Sequence, residues 1–482
     1  MTPRLEVLER ALIPRILEEA FGLLDEPGVR VQAPRAVELL TANGATARGE
    51  VVRIPEPLVR QALATAPREF HLHARDGRTT VRYGGDTVQF DPGSSGVQIF
   101  DAERGEHRPS CAADLVRLVQ VAEMLPVYAA QSTAVVCCDV PQEIGDLYRL
   151  FLVLWHSDKP IVTGAFTASG TRLMIDLLAA DSGGRDALVA RPRAVFDVCP
   201  SPPLHWSEFA AENLMDLARA GVPAEIVSVP MAGATAPVTL AGAVVQHAAE
   251  CLSGITIHQL AGPGAPVVWG GAPAIFDMRT GTTAMGAIET ALLGAACAQV
   301  GKSLELPTHG YLCGSDAKCI DAQAGMEAGM AALVGALSGI NMISGAGMLD
   351  FLASQSAEKL VVDAEAIGAA LRLRRGVTAS TDSLAAAMFA QTGLNGEFLK
   401  LRETRQLFRT EQHLPSSVID RSTLRAWQEQ GGRDTAARAG ARVAQLLASY
   451  ERPALGTGRE AALLQVIEAE ARRSGLDRLP GL

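Results

Sequence analysis

The feature that most constrains this fold is a repeated alternation of short apolar strands and helix-length segments after Val127. Seven strand-like stretches can be read: VYAAQSTAVV (127–136), PIVTGAF (160–166), AVFDVCP (194–200), AEIVSV (224–229), PVVWGG (266–271), LELPTHG (304–310) and INMIS (340–344). Regular βα alternation predicts parallel strands joined by helical crossovers, and this number of repeats favours a (β/α)8 TIM barrel over an open sheet. The eighth strand is not evident, and we expect it near Gly396 to Leu399.

Three regions are expected along the 482 residues. Residues 1–110 mix helical patterns with extended pieces such as FHLHARDG (70–77), which predicts an N-terminal helical and β-rich (α/β) cap. Residues 111–401 carry the alternation and would form the barrel. Residues 402–482 are charged and helical in pattern, and we expect a C-terminal helical extension that packs outside the barrel.

Composition excludes several classes of protein. The net charge is −10 and no long run of Lys or Arg occurs, so a nucleic-acid partner is not expected. The first helix is amphipathic and lacks a signal peptide's apolar core, which predicts a cytoplasmic protein. Residues 328–349 are uncharged over membrane-spanning length, but glycines interrupt them and they break at Ser338-Gly339, so we expect a buried helix and strand rather than a membrane span. The eight cysteines show no framework spacing, so we expect no disulfides and interpret the cysteines as free thiols or ligands.

Chemistry in a barrel is carried by the loops that follow its strands. The sequence nominates five segments there: 199–206, 229–239, 269–282, 308–323 and 344–350. Most of them are rich in Gly, Ala and Pro, which allow a large flat ligand to approach the backbone closely. No GxxxxGK[ST], GxSxG or HExxH motif occurs, which removes the commonest nucleotide-binding, esterase and metalloprotease interpretations.

Several long blocks resemble one family. They are THGYLCGSDAKCIDAQAGMEA followed by SGINMISGAGMLD, the later GEFLKLRETRQLFRTEQHLPSSVIDRSTLRAW, and the early VRIPEPLVRQALATAPREFHLHARD. In this order they closely resemble the trimethylamine methyltransferase family of corrinoid-dependent methyltransferases, over nearly the whole chain. The resemblance implies a (β/α)8 barrel that presents a methylated amine to the cobalt of a cobamide (cobalamin) carried by a separate small corrinoid-binding protein. It implies no tightly bound metal, and large barrels of this kind commonly form homo-oligomers.

The chain departs from the family in ways that bear on its substrate. Members that act on trimethylamine contain pyrrolysine, whereas this chain has ordinary residues throughout, so it looks like the non-pyrrolysine branch acting on quaternary amines such as glycine betaine. Glu403-Thr404 stands where many members have His-Thr, and Ser344 stands where some have His. Both differences leave the substrate open. A quaternary nitrogen leaves as a neutral amine, so its departure needs no general acid.

A cage for a quaternary ammonium favours aromatic faces. Four aromatic residues lie on the nominated loops, in a chain with only four Trp and five Tyr: Trp206, Trp269, Phe276 and Tyr311. We expect them, with His205 beside Trp206, to bind the substrate. The alternative is that they anchor loops as ordinary core aromatics.

The best-matching block supplies the expected catalytic residues Asp316, Glu327 and Gln323. Asp316 or Glu327 would face the ammonium group, and Lys318 would pair with a substrate carboxylate. Alternatively, Gln323 and Glu327 support a helix, being four residues apart, and Lys318 forms a loop salt bridge.

We expect the corrin ring to approach three further residues: Gly345, Gly347 and Asp277. Close packing explains the two glycines equally well.

Two other functions stay open. His309, Cys313 and Cys319 are the residue types that zinc prefers, which would suit a zinc-dependent methyltransferase with a thiol, sulfonium or alcohol donor, although no tight CxxC pair supports it. A paralogue that docks the corrinoid protein without turnover is the non-enzymatic alternative, since a barrel fold hosts many functions.

Overall fold

The structure is a computed structural model that describes residues 2–167, 169–476 and 478–482. Eight strands form a barrel: β1 (Gln89–Pro92), β2 (Gln131–Ser132), β3 (Ile161–Gly164), β4 (Ala194–Val198), β5 (Ala224–Ser228), β6 (Val267–Gly271), β7 (His309–Tyr311) and β8 (Met342–Ala346). Each strand is followed by its barrel helix: α1 (Ala112–Glu123), α2 (Gln142–His156), α3 (Gly170–Ser182), α4 (Glu208–Ala220), α5 (Leu240–Ala261), α6 (Ile288–Ser303), α7 (Ala322–Leu337) and α8 (Ala357–Arg374).

The barrel closes through parallel pairing all the way round. Ladders join β2 to β3, β4, β5 and β6 in turn, and a second set joins β7 to β8 and β8 to β1. Single bridges complete the circle, from Phe90 to Tyr128 between β1 and β2 and from Trp269 to Thr308 between β6 and β7. The chain is therefore a (β/α)8 barrel, as its alternating pattern predicts.

The eighth strand is not where the sequence suggested. Phe398–Lys400 is a short 3₁₀ helix, so the expected strand at Gly396 to Leu399 is wrong. The missing strand is β1, which precedes the seven recognised repeats and pairs with β8. The first barrel strand thus begins at Gln89, within residues 1–110, where the sequence predicts the cap. The apolar pattern of the sequence does not reveal this strand, because QFDP is short and polar at two of its four positions.

A hairpin closes the amino-terminal end of the barrel. Its strands Phe70–His73 and Thr80–Tyr83 are antiparallel, with Phe70 opposite Tyr83. One face of this hairpin packs in a single apolar layer against the first inward-facing residues of the strands, which are Ala130, Val162, Val195, Val268 and Met342. Above that apolar layer, the inward-facing positions become polar.

The longest barrel helix is buried on every side. α5 is long and apolar enough to cross a membrane, yet 83% of the residues in its most apolar 18-residue stretch are buried inside the fold. It packs against α4, α6 and three amino-terminal helices, Leu12–Asp25, Pro34–Ala42 and Glu56–Thr65. Residues 328–349 divide into α7 and β8, as the break at Ser338-Gly339 predicts.

Side-chain caps fix where several barrel helices begin, and therefore where the preceding loops end. The Asp321 carboxylate accepts a hydrogen bond from the Ala324 amide at the start of α7, and Ser356 accepts one from the Lys359 amide at the start of α8. Such caps satisfy amides that a helix leaves unpaired at its first turn.

The remaining elements lie outside the barrel wall or in its loops. Two carboxy-terminal helices pack on it, Thr435–Ser449 against α8 and α1 and Thr457–Arg473 against α3 and α2. The other helices are Arg185–Ala190, Ala386–Thr392, Arg402–Glu411 and Leu424–Glu429, with a second 3₁₀ turn at Gly393–Asn395. The other strands are Val29–Val31, Thr46–Arg48, Val51–Arg53, Gln98–Asp101, Glu106–Pro109, His205–Trp206, Met231–Ala232, Ala274–Asp277, Thr282–Ala284, Met348–Leu349 and Ser354–Gln355. The division into three domains stays a prediction.

Candidate active site

A group of polar side chains fills the barrel interior above the apolar layer. We call it the barrel cluster, and its members are Tyr83, Asp91, Asp197, Glu225, His309, Tyr311 and Ser344. All except Tyr83 stand on barrel strands. Lone polar residues in buried parallel strands must face the interior, because the opposite face of each strand packs against helices.

A continuous hydrogen-bonded chain crosses this cluster. Glu225 contacts Nδ1 of His309, and Nε2 of the same ring lies 2.7 Å from Oγ of Ser344. The Ser344 hydroxyl donates to Oδ1 of Asp91 at 2.5 Å. Four strands, β5, β7, β8 and β1, are thereby connected through side chains alone.

A second pair lies toward the open end of the barrel. The Tyr311 hydroxyl donates to Oδ2 of Asp197 at 2.8 Å, and the Tyr311 ring meets the His309 ring edge-on with 5.0 Å between centroids. Asp197 and Tyr311 are half-buried, whereas Glu225, His309 and Asp91 are buried. A ligand that enters from the mouth would therefore meet Asp197 and Tyr311 first.

Several buried polar atoms of the cluster lack a partner. Oδ2 of Asp91, Oδ1 of Asp197, Oε2 of Glu225 and the hydroxyl of Tyr83 have no hydrogen-bond partner within the described chain. Buried polar atoms are normally satisfied, so such a concentration at one place points to a ligand or water.

Burial governs the protonation of the cluster. It raises the pKa of Asp197 to about 7, with the nearby Glu225 carboxylate acting in the same direction. Burial also raises the pKa of Glu225 and of Asp91 well above the ordinary range. It lowers the pKa of His309 to about 4, so the ring is neutral at physiological pH. These shifts follow from placing charge where water cannot solvate it.

Protonation fixes the direction of the chain of hydrogen bonds. A protonated Glu225 donates to Nδ1 of the neutral His309 ring, and Nε2–H of that ring then donates to the hydroxyl of Ser344. Without a cation, the cluster is therefore close to neutral.

Glycines make room for these side chains. A Cβ at Gly270 on β6 would lie 2.6 Å from Cγ of Glu225, closer than real contacts allow. The Glu225 side chain therefore occupies the space that a side chain on β6 would fill. Gly164 on β3 likewise leaves the wall beside Asp197 without a side chain.

The cluster could also be considered for a metal ion. Ligand atoms of Asp197, Glu225 and His309 lie within 4.8 Å of one another. However, both ring nitrogens of His309 already have partners, so a metal would have to displace Glu225 or Ser344. The donor set fits an organic cation without such rearrangement.

The proposed zinc ligands are not brought together. Cys313 is buried with Sγ near the carbonyl of Ala328 at 3.9 Å, while Cys319 is exposed. His309 lies instead with carboxylates, and among the described residues these two cysteines join no group that could hold a metal.

The two expected tryptophans lie in the core and not in the barrel interior. Trp206 donates from Nε1 to Oγ of Ser253 at 2.9 Å and packs on Gly254 of α5. Trp269 donates from Nε1 to the carbonyl of Cys297 at 2.9 Å. Both are fully buried, which corrects the expected substrate contact, because large indoles satisfy their N–H between the barrel wall and its helices.

The other expected binding residues are spread over several places. Tyr311 belongs to the barrel cluster. Phe276 is half-buried on the strand Ala274–Asp277 after β6, opposite Thr283. His205 lies on a strand that pairs with the amino-terminal strand Val29–Val31, and this pairing places it away from the cluster.

Glu327 holds the loop after β7 in place. Its carboxylate accepts hydrogen bonds from the Ser315 hydroxyl at 2.6 Å, the Asp316 amide at 2.9 Å and the Gln323 amide group at 2.8 Å. Gln323 is exposed. This is the supporting role considered for Glu327 and Gln323, since all three contacts are local.

Asp316 and Lys318 differ in their availability. Oδ1 of Asp316 is buried without a partner in the described residues, and burial raises the pKa of Asp316 to about 6. Lys318 lies 3.4 Å from Asp350 and 3.6 Å from the centroid of the Phe351 ring. Its ammonium group is thus occupied by loop contacts.

The residues assigned to the corrin ring have contacts of their own. Gly345 has φ +113°, and a Cβ there would lie 2.9 Å from the Gly314 amide nitrogen, so glycine lets the loops after β7 and β8 pack together. A Cβ at Gly347 would meet Leu360 of α8 at 2.7 Å. Asp277 forms an ion pair with Arg279 that lowers its pKa to about 2.

Sequence reasoning missed Asp91, Asp197, Glu225 and Tyr83, and it noted Ser344 only as a departure from the family. A signal was present: QFDP, AVFDVCP and AEIVSV each carry a single carboxylate within a short strand. A carboxylate at an inward position of a barrel strand indicates a functional site, because burying a charged group costs free energy unless a partner or ligand compensates it.

Comparison with known proteins agrees with this architecture. A solved monomethylamine methyltransferase of Methanosarcina barkeri shares the fold, with a TM-score of 0.53 and 12% identity over 91% of this chain and 88% of that one. A glycine betaine methyltransferase of Desulfitobacterium hafniense is 30% identical over 477 residues, 98% of this chain and 99% of the relative. A trimethylamine methyltransferase of Methanosarcina thermophila is 34% identical over 442 residues, 89% of this chain and 90% of the relative.

The family model described as trimethylamine methyltransferase matches residues 1–475. The relatives are named methyltransferases, and the match extends over barrel, loops and both flanking regions. The chain is a methyltransferase that belongs to the trimethylamine methyltransferase family.

Proposed function

We propose that this enzyme transfers a methyl group from a quaternary amine to the Co(I) of a cobamide carried by a small corrinoid protein. The observation that supports this most is the barrel cluster, which places three carboxyl groups and two phenols where a cation can enter from the mouth. The names of the relatives, a glycine betaine and a trimethylamine methyltransferase, support a methylated amine as donor.

The cluster suits a cationic donor for electrostatic reasons. Asp197 at the half-buried end supplies a carboxylate when a cation is present, and the Tyr311 ring beside it offers an aromatic face. Cobalt(I) supplies the nucleophile, so the protein has to hold the C–N bond in line with it and exclude water. The neutral amine that leaves needs no proton. Asp316, with its free Oδ1, is a further candidate to face the ammonium group.

The acceptor would approach the carboxyl ends of the strands. Exposed apolar side chains stand on five of the loops there, namely Val97, Val136, Phe166, Val238 and Met278. Exposed apolar groups gathered at one end of a fold are typical of an interaction surface. Within the described residues the apolar layer blocks the opposite end of the barrel, so a partner would approach Asp197 and Tyr311 from this end.

A homo-oligomer is also proposed. The helices Ala386–Thr392 and Arg402–Glu411 have no buried residue among those described. Between residues 377 and 424 several apolar side chains are largely exposed: Val377, Leu384, Leu394, Leu399 and Leu424. A stretch of this kind is expected to be covered by a second copy of the chain, which light scattering would detect.

The test of the reaction is an absorbance assay. The protein is mixed with a reduced corrinoid protein and a panel of quaternary amines, tertiary amines, sulfonium compounds and methanol. Methylation of the corrinoid with one quaternary amine is the expected result. Methylation only with methanol or a sulfonium compound, together with bound zinc on elemental analysis, would support the zinc-dependent alternative. If no compound of the panel methylates a competent corrinoid partner, a docking role would be favoured.

A further inference from the structure

The barrel cluster contains acidic groups and one histidine, but no lysine or arginine. Its ionisable members are Asp91, Asp197, Glu225, His309, Tyr83 and Tyr311. In the described part of the chain no lysine or arginine forms a hydrogen bond or ion pair with any of them. The cluster can therefore compensate a positive charge through Asp197, but it offers no cationic side chain to pair with a negative one.

The cations near the mouth are already engaged. Arg149 on α2 is buried and pairs with Asp146 at 3.0 Å, while its other terminal nitrogen donates to Ser95 and to the carbonyl of Thr133. Lys318 pairs with Asp350 and covers Phe351. Arg149 is thus buried and paired, while Lys318 is held at the surface of its loop by an acidic residue and an aromatic ring.

A second observation points to a ligand at the same place. Tyr83 is completely buried at the floor of the site, and its hydroxyl has no partner in the part of the chain that is described. The carboxyls of Glu225, Asp91 and Asp197 surround it closely enough to raise its pKa further after burial has done so. A buried hydroxyl without a hydrogen-bond partner indicates that the site binds a polar ligand group beside it.

Resting on the proposed function, we propose that the donor is a quaternary ammonium compound that carries no carboxylate, with only neutral substituents such as alkyl or hydroxyl groups. A betaine would bring its carboxylate close to Asp197, which ionises when a cation lies beside it, in a site of low dielectric where like charges repel strongly. A hydroxyl substituent would instead satisfy Tyr83 or Oε2 of Glu225.

Binding of such a cation should release a proton. Asp197 has a pKa of about 7 where Glu225, His309 and Tyr311 face it. A positive charge beside it favours the ionised form, so a carboxyl that is protonated below that pH loses its proton as the ligand binds. A metal ion would release protons too, but it would first have to break the contacts of the His309 ring.

The experiment is calorimetric titration of the full chain, without any corrinoid partner, at about pH 6. The ligands are choline, glycine betaine and 3,3-dimethylbutan-1-ol, which is the uncharged carbon isostere of choline. Choline is expected to bind at least about tenfold more tightly than either of the others. Repeating the choline titration in two buffers of different ionisation enthalpy should show about one proton released.

A matched pair of variants locates the effect. D197N is expected to lower choline affinity at least about tenfold and to remove the proton release. D176N, which alters an exposed ion pair between Asp176 and Arg185, should leave both unchanged. Should D197N fail to fold, the comparison of the three ligands on the unmodified chain still decides.

Glycine betaine binding as tightly as choline would overturn the inference, and so would equal binding of the uncharged isostere. Stoichiometric zinc binding that choline does not displace would overturn it as well. These results are independent of methyl transfer. Selective choline binding with no methylation of any corrinoid would contradict the proposed reaction alone, whereas methylation from betaine without preference for choline would contradict only the inference.

Discussion

The His309 imidazole and the Ser344 hydroxyl lie 2.7 Å apart inside the barrel, and this contact joins the carboxyls of β5 and β1 into one network. Ser344 links the histidine to Asp91, since its hydroxyl accepts a hydrogen bond from His309 and donates one to Asp91. Both of its neighbours are buried. Burial lowers the pKa of His309 to about 4 and so keeps the ring neutral.

Replacing Ser344 with alanine tests the network. Ser344→Ala would leave Nε2–H of His309 and Oδ1 of Asp91 without their partner, which should cost about 1–3 kcal/mol of unfolding free energy. Denaturant unfolding measures this loss of unfolding free energy. If the network positions Asp91, kcat of the variant should fall as well. Ser303→Ala is the control, since Ser303 is exposed and, among the described residues, its hydroxyl donates only to the Val300 carbonyl within the same helix. Equal stability of the two variants would contradict the network.

Adding one methyl group at Gly270 should displace Glu225. The new Cβ would stand 2.6 Å from Cγ of Glu225, so Gly270→Ala should destabilise the fold by about 1–3 kcal/mol and reduce methyl transfer. Gly145→Ala in α2 is the matched control. A Cβ there meets nothing within 4 Å, and alanine should stabilise the helix by up to ~1 kcal/mol. Thermal unfolding and turnover of both variants decide, and a fully active Gly270→Ala would refute the steric argument.

Two substitutions of Glu327 separate support from catalysis. Glu327→Ala removes the acceptor for the Ser315 hydroxyl and the Asp316 amide, and we expect a loss of about 1–3 kcal/mol in unfolding free energy. Glu327→Gln keeps an oxygen at the same place but removes the charge. If Glu327 only supports the loop, the glutamine variant should keep most of its kcat. A large loss of kcat with unchanged stability in that variant would show that the charge itself takes part.

Asp197 should contribute stability that is lost as pH rises from about 4 to about 7. Asp197 has a folded pKa of about 7, raised by burial above its ordinary value of 3.8, so the folded state holds a proton that the unfolded chain has already lost. Deprotonating the unfolded chain first favours unfolding. The buried histidines His309 and His247, whose pKa is lowered, contribute a slope of the opposite sign, so the contribution of Asp197 is read from the difference between two proteins. Urea unfolding at a series of pH values should show that the unmodified chain loses more stability over this range, relative to Asp197→Asn, and an identical pH dependence of the two proteins would contradict the assigned protonation.

The barrel was predictable because its signal is local. Seven strands and the helices between them could be read from apolar runs of fixed spacing, and the division of residues 328–349 into α7 and β8 followed from Ser338-Gly339. β1 was missed because its four residues include Gln89 and Asp91. A strand that short is identified only by its partners, and these lie far away in the chain.

The site was less predictable. Tyr311 was expected to line it and does belong to the cluster, but Trp206 and Trp269 lie behind the barrel wall. Aromatic type and loop position do not reveal which way an indole points. Glu327 and Lys318 similarly found partners within their own loops.

The sequence by itself determined the class of fold and the family, because periodic apolar strands and long matching blocks are properties of neighbouring residues. Only the tertiary structure decided that Asp91, Asp197 and Glu225 meet His309 in one place. Their strands are separated by many residues, and the closure of the barrel is what turns isolated polar positions into a cluster. The protonation of that cluster is likewise a tertiary property, since burial by surrounding strands sets the pKa of each carboxyl.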